Sequence, residues 1–144
     1  MHELFQVVFD ATDPQRLARF WALALNYELQ LPPPEFDTWD EFADKMGIPE
    51  EDRDKLVALV PKGKVGNRIL FQKVPEGKTA KNRLHIDVPS GAERNAPRLE
   101  HLAAIEEKVS ELVAAGAVKG ESKSEFGAEW TIMQDPEGNE FCVV

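Results

Sequence analysis

His85 sits in the alternating run Arg83-Leu84-His85-Ile86-Asp87-Val88. A strand there turns Arg83, His85 and Asp87 to one face and Leu84 and Ile86 to the other. An imidazole with a carboxylate two residues along the same face is drawn toward its charged form, so such a row can bind or protonate a polar small molecule. The plainer role is a satisfied ion-pair network. His85 is the best catalytic candidate in the chain. An earlier run, Leu4 to Asp10, has the same alternation and sets Gln6, Val8 and Asp10 opposite Phe5, Val7 and Phe9. In a matching module, Asp10 is the carboxylate placed to face His85. The single cysteine, Cys142, lies in the apolar closing run, where it reads as a small buried side chain or, if deprotonated, as a ligand for a soft ion. His2 and His101 lie outside these runs and read as surface residues.

Two similar sets of elements position these residues. Residues 4–11 alternate as a strand. Asp13-Pro14 then supplies a capping side chain and a proline at the first helical position, and Leu17, Phe20, Trp21, Ala24 and Leu25 mark the core stripe of a helix over about 14–26. Three prolines follow. Thr38-Trp39-Asp40-Glu41 is a capping box for a short helix that Gly47 stops, and a second helical stretch begins at Pro49. This insertion, about residues 32–58, carries Trp39, Phe42, Met46 and Ile48 and reads as packed cover in preference to a lid. Leu56–Val60 and Arg68–Val74 are strands. After the polar linker Pro75–Asn82 the order repeats: strand 83–88, then a helix over about 99–115 with the stripe Leu102, Ile105, Val109, Leu112 and Val113, and Gly116 as its cap. Strands near 118–125, 128–134 and 139–144 follow, the last two joined by the turn Asp135-Pro136-Glu137-Gly138-Asn139. The expected architecture is α+β in one domain, 1–144. Two β-α-β-β-β modules, about 3–75 and 82–144, form a curved mixed sheet around a central cup, with the helices on the convex side.

The chain has 144 residues and a net charge of −9, from 17 basic and 26 acidic side chains. That balance repels a phosphate backbone, and the basic residues form no stripe, so nucleic acid is not an expected partner. The acidic residues around 35–54 and 100–111 read as solvated helix faces. No apolar run is long enough to span a membrane and no secretory leader is recognised, so a cytoplasmic protein without a membrane partner is expected. One cysteine excludes an intramolecular disulfide and a multi-cysteine zinc cluster. Apolar content and exposed sheet edges lead to the expectation of a homodimer.

Asp13-Pro14, Ile69-Leu70-Phe71-Gln72-Lys73-Val74-Pro75, Lys81-Asn82-Arg83-Leu84-His85-Ile86-Asp87-Val88 and Asp135-Pro136-Glu137-Gly138-Asn139-Glu140-Phe141-Cys142 together resemble the glyoxalase-like branch of the vicinal oxygen chelate superfamily, as does the insertion. The resemblance runs through nearly the whole chain. It implies ligands on the first and last strands of each module, directed into the cup, at positions that match Gln6, Gln72, His85 and Cys142. The superfamily holds enzymes and metal-free drug-binding proteins of the bleomycin resistance type. The two glutamates of lactoylglutathione lyases match Gln72 and Cys142, which removes the carboxylate base. Extradiol-cleaving relatives use two histidines and a carboxylate, of which only His85 is matched. Neutral glutamine oxygens are poor partners for the soft ion that a thiolate would select, so no cofactor is favoured. A divalent metal at these four residues is the alternative, and a mutual hydrogen bond is the plain role for Gln6 and Gln72. The expected ligand is a small organic molecule, contacted by Gln6, Val8, Asp10, Leu70, Gln72, Arg83, His85, Asp87 and Cys142. Lyase or isomerase chemistry is the second reading, and whether the protein is an enzyme stays open.

Overall fold

The computed structural model describes residues 4–144. The chain forms two compact units, one running to Ala22 and continuing through Asn26–Gly77, the other comprising Leu23–Leu25 and Lys78–Val144. Each carries a four-stranded mixed sheet of the same topology. In the first, β1 (Val7–Ala11), β2 (Tyr27–Leu29), β3 (Leu56–Pro61) and β4 (Ile69–Lys73) lie in the order β1-β4-β3-β2. In the second, β5 (Asp87–Val88), β6 (Val118–Glu125), β7 (Ala128–Gln134) and β8 (Glu140–Val143) lie in the order β5-β8-β7-β6. With α1 (Pro14–Leu25) after β1 and α3 (Arg98–Ala114) after β5, both read β-α-β-β-β. In each sheet the first and last strands pair in parallel and the other pairs are antiparallel.

Helix α1 starts where Asp13 caps it. The Asp13 carboxylate accepts from the Arg16 amide at 3.1 Å and its carbonyl from the Leu17 amide at 3.1 Å. Leu17, Phe20 and Trp21 are buried. Trp21 packs on Phe9 at 5.2 Å between ring centroids, and Phe9 stacks on Phe71 at 5.1 Å. The apolar alternation of β1 and β4 thus meets the helical stripe of α1 in one cluster.

The insertion is fastened. Thr38 accepts from the Glu41 amide at 3.1 Å, the Glu41 carboxylate accepts from the Asp37 and Thr38 amides, and Gly47 ends α2 (Trp39–Met46) with φ of 69°. Phe42 lies edge-on to both Phe36 and Trp39, and the Trp39 indole donates to the Gln30 carbonyl at 2.9 Å. Arg53 ties the following turn back, donating to the Ile48 carbonyl at 3.1 Å and to Asp44 at 2.6 Å. The helical stretch expected from Pro49 is a single 3-10 turn, Glu50–Asp52.

Three sequence expectations need correction. Residues 4–6 lie outside β1 and Phe5 is 74% exposed, because the ladder begins where Val7 meets Ile69, the first residue of β4. The strand expected over 83–88 is reduced to Asp87–Val88, and Leu84 is 71% exposed. Upstream, Asn82 occupies the start of β8: its amide donates to the Glu140 carboxylate at 3.0 Å and its side chain to the Glu140 carbonyl at 3.3 Å. On α3, Ile105, Val109 and Leu112 are buried while Val113, one step round the helix, is 44% exposed.

Gly116 closes α3 at φ of 110°, a left-handed conformation that leaves the Ala117 amide bonded to the Leu112 carbonyl at 2.9 Å. The turn from β7 to β8 is organised by Asp135, whose carboxylate accepts from the amides of Glu137 at 2.9 Å and Asn139 at 3.0 Å and from the Asn139 side chain at 2.9 Å. Among the described residues, no helix is long and apolar enough to cross a membrane.

Candidate functional site

The second sheet divides its residues by the pleat. Val88, Thr131, Met133, Phe141 and Val143 are buried, whereas Asp87, Ile132 and Cys142 alternate with them on the other face. Asp87 is paired directly with Cys142 in the parallel ladder. The His85 Nε2 lies 3.5 Å from an Asp87 carboxylate oxygen, and the ligand atoms of His85, Asp87 and Cys142 all lie within 4.8 Å of one another. Short as it is, β5 therefore brings together the histidine, the acid and the thiol that the sequence singled out. Arg83 is exposed beyond the strand.

These residues open onto a hollow of about 1020 Å³, every lining residue of which belongs to the second unit. Trp130 and Ile132 of β7 contribute apolar wall, and Lys81 and Glu140 add charge. Burial, reinforced by the negative charge of Asp87, pushes the Cys142 thiol above its ordinary pKa against the opposing pull of the Lys81 ammonium, so the sulfur is protonated at neutral pH. Glu140 is shifted the other way. The hydrogen bond from the Asn82 amide is the main cause, aided by the Lys78 ammonium at 3.1 Å and opposed by partial burial, and together they bring its carboxyl down to about 2.

The remaining candidates lie in the first unit. Val8 pairs with Leu70 and Asp10 with Gln72, so these four share one face of the first sheet, where Val8, Asp10 and Gln72 are exposed and Leu70 is half-buried. Gln6 has its side-chain oxygen bonded by the Arg68 guanidinium, which also donates to the Gln30 side chain at 2.7 Å. Sequence reasoning placed Arg68 and Glu140 in strands and Asn82 in a linker but singled out none of them as a site residue. It also placed His101 on the surface, yet the Nε2 of His101 is buried and lines the same hollow.

As a donor set, His85, Asp87 and Cys142 supply an imidazole, a carboxylate and a sulfur around one point. Such a set fits a borderline-soft divalent ion such as zinc once the thiol gives up its proton, and suits a hard ion less well.

Two β-α-β-β-β units with the first and last strands of each paired in parallel define the vicinal oxygen chelate architecture. The glyoxalase-like domain model matches residues 6–144, and the chain belongs to that family. Comparison with curated protein sequences finds no match. Among solved structures, a possible glyoxalase from Bacillus cereus superposes with a TM-score of 0.61 at 11% identity, over 100% of this chain and 99% of that one. A glyoxalase/bleomycin resistance protein/dioxygenase family enzyme from Burkholderia phytofirmans PsJN gives 0.60 at 14% identity, over 96% and 94%. A mutant of the fosfomycin resistance protein FosX from Listeria monocytogenes, complexed with Mn(II) and 1S,2S-dihydroxypropylphosphonic acid, gives 0.61 at 10% identity, over 99% and 89%. At these identities the likeness is one of fold.

Proposed function

We propose that this glyoxalase-like protein binds a small organic molecule in the hollow of the second unit, with His85 and Asp87 as its polar contacts and Trp130 and Ile132 as apolar wall. The observation that carries this reading is the His85–Asp87–Cys142 cluster opening onto a cavity of ligand size. A protonated thiol and an exposed His85–Asp87 pair act as hydrogen-bond partners without any metal. On the first sheet, Val8, Asp10, Leu70 and Gln72 form a second face of mixed apolar and polar residues that suits the same kind of ligand. The eight exposed residues of β6, an edge strand, offer a surface for pairing two copies, and we take a homodimer as the assembly.

A second reading is favoured by one observation, the closeness of the three donors. In it the cluster takes up a thiophilic divalent ion, and the protein is a metal-assisted lyase or isomerase acting on a small organic substrate. A thermal-shift screen of small organic acids, alcohols and amides, with and without chelator, separates the two. In the binding reading, stabilising compounds keep their effect in chelator and lose it in His85→Ala, while Cys142→Ser is nearly silent. Zinc retained through dialysis and lost in Cys142→Ser would establish the metal reading instead.

A further inference from the structure

The hollow has further polar lining residues where α3 begins beside β7. Glu129 of β7 is the pivot. Its side chain is only 8% exposed and one carboxylate oxygen is paired with the Arg98 guanidinium. The other oxygen, Oε2, is buried with no hydrogen-bond partner. One turn along α3 from Arg98 stands His101, whose Nε2 is likewise buried and unpartnered. Arg98, His101, Glu129 and Trp130 all line the hollow.

A buried carboxylate oxygen left without a donor is destabilising, as is a buried imidazole nitrogen without a partner, so both atoms call for a group that the chain itself does not supply. The chemistry of the missing group follows from charge. Arg98 already neutralises Glu129, so a cation would leave an excess positive charge, and an anion would face the open carboxylate oxygen. What remains is a neutral group able to donate to Glu129 Oε2 and to pair with His101 Nε2, and both a hydroxyl and a primary carboxamide carry that chemistry. Trp130 offers a flat apolar surface for the rest of the molecule.

We propose that Glu129 and His101 form a subsite for a neutral hydroxyl or carboxamide group of the ligand. This rests on the reading that the hollow binds a small organic molecule, and it names the ligand's polar end. Three probes of one ring size test it: benzamide, benzoate and benzylamine, titrated into the intact protein while the His101 ring, Trp130 indole and Cys142 amide resonances are followed by NMR. Benzamide is expected to shift His101 and Trp130 saturably, with benzoate and benzylamine much weaker. Glu129→Ala should weaken benzamide about tenfold, whereas Glu129→Gln, which keeps an acceptor, should hold it within about threefold. His101→Leu is an independent variant on the other partner and should also weaken benzamide. Stronger binding of benzylamine than of benzamide would overturn the neutral assignment. Shifts at Trp130 and Cys142 that leave His101 unmoved would overturn the subsite while preserving the hollow as a binding site. No shift with any probe would remove the reading of the hollow itself, and the subsite with it.

Discussion

Replacing Asp135 by alanine should be among the most damaging single changes in the second unit. The residue is 2% exposed and its carboxylate gathers three donors within one turn: the Glu137 amide, the Asn139 amide and the Asn139 side chain, at 2.9, 3.0 and 2.9 Å. Each bond to a charged acceptor is worth about 1.5 kcal/mol or more, but the turn can open and let water reach the abandoned donors, so we expect a loss of about 3 kcal/mol. Asp135→Asn keeps one acceptor oxygen and should lose roughly half as much. Urea denaturation gives the value directly, provided the slope against denaturant is the same in both proteins. The turn also fixes the register of Gln134 opposite Glu140, and through it the place of Cys142 beside Asp87. Alkylation of Cys142 should therefore quicken in Asp135→Ala. A stability loss below about 1 kcal/mol would refute the argument, since the three bonds would then contribute no more than a solvent-exposed set.

Two further outcomes follow from the shifted acids. The Glu140 carboxyl is held at about 2 in the fold against an ordinary value of 4.5, so its contribution is complete above pH 5 or so and is lost as the pH falls toward 2. The gap caps that contribution at about 3 kcal/mol, and screening at a side chain 20% exposed brings the expectation to about 2 kcal/mol. Glu140→Gln should flatten acid destabilisation over that window, and parallel acid titrations of the two proteins would count against the assignment. Asp87→Asn removes a negative charge that raises the Cys142 thiol, so iodoacetamide should react with Cys142 at lower pH than in the parent protein; an unchanged pH profile would leave burial as the sole cause.

Much of the fold was legible because it rests on local chemistry. Thr38 and Glu41 form the capping box their spacing predicts, Gly47 adopts the left-handed conformation that ends a helix, and Asp13-Pro14 starts α1. The repeat of the alternating run before each long helix became the shared strand order of two sheets. Strand ends were not legible, because they depend on partners far away in sequence. Nothing near Leu84 says that Asn82 will take the Glu140 carbonyl and peel the chain off the ladder. The site was legible in the two-residue spacing of His85 and Asp87, which stand close although only Asp87 lies in β5, and Cys142 joined them through the parallel pairing of β5 with β8. Glu129 and Arg98 escaped notice because a glutamate on a strand and an arginine on a helix look like surface until the fold buries one against the other.

The parallel pairing of first and last strands has a consequence for how the protein is made. Among the described residues, β1 stands at the edge of its sheet and pairs with β4, and β5 stands at the edge of its own and pairs with β8. On a ribosome, β1 emerges well before its partner and stays unpaired while α1, β2, the insertion and β3 are synthesised. The second unit repeats the delay: His85 and Asp87 appear early, yet nothing holds them in place until Glu140–Val143 arrives. Contacts so distant in sequence form late and leave apolar strand edges open in the meantime. The cluster of His85, Asp87 and Cys142 is thus the last part of its unit to be assembled, and loss of β8 would leave its imidazole and carboxylate without a partner strand.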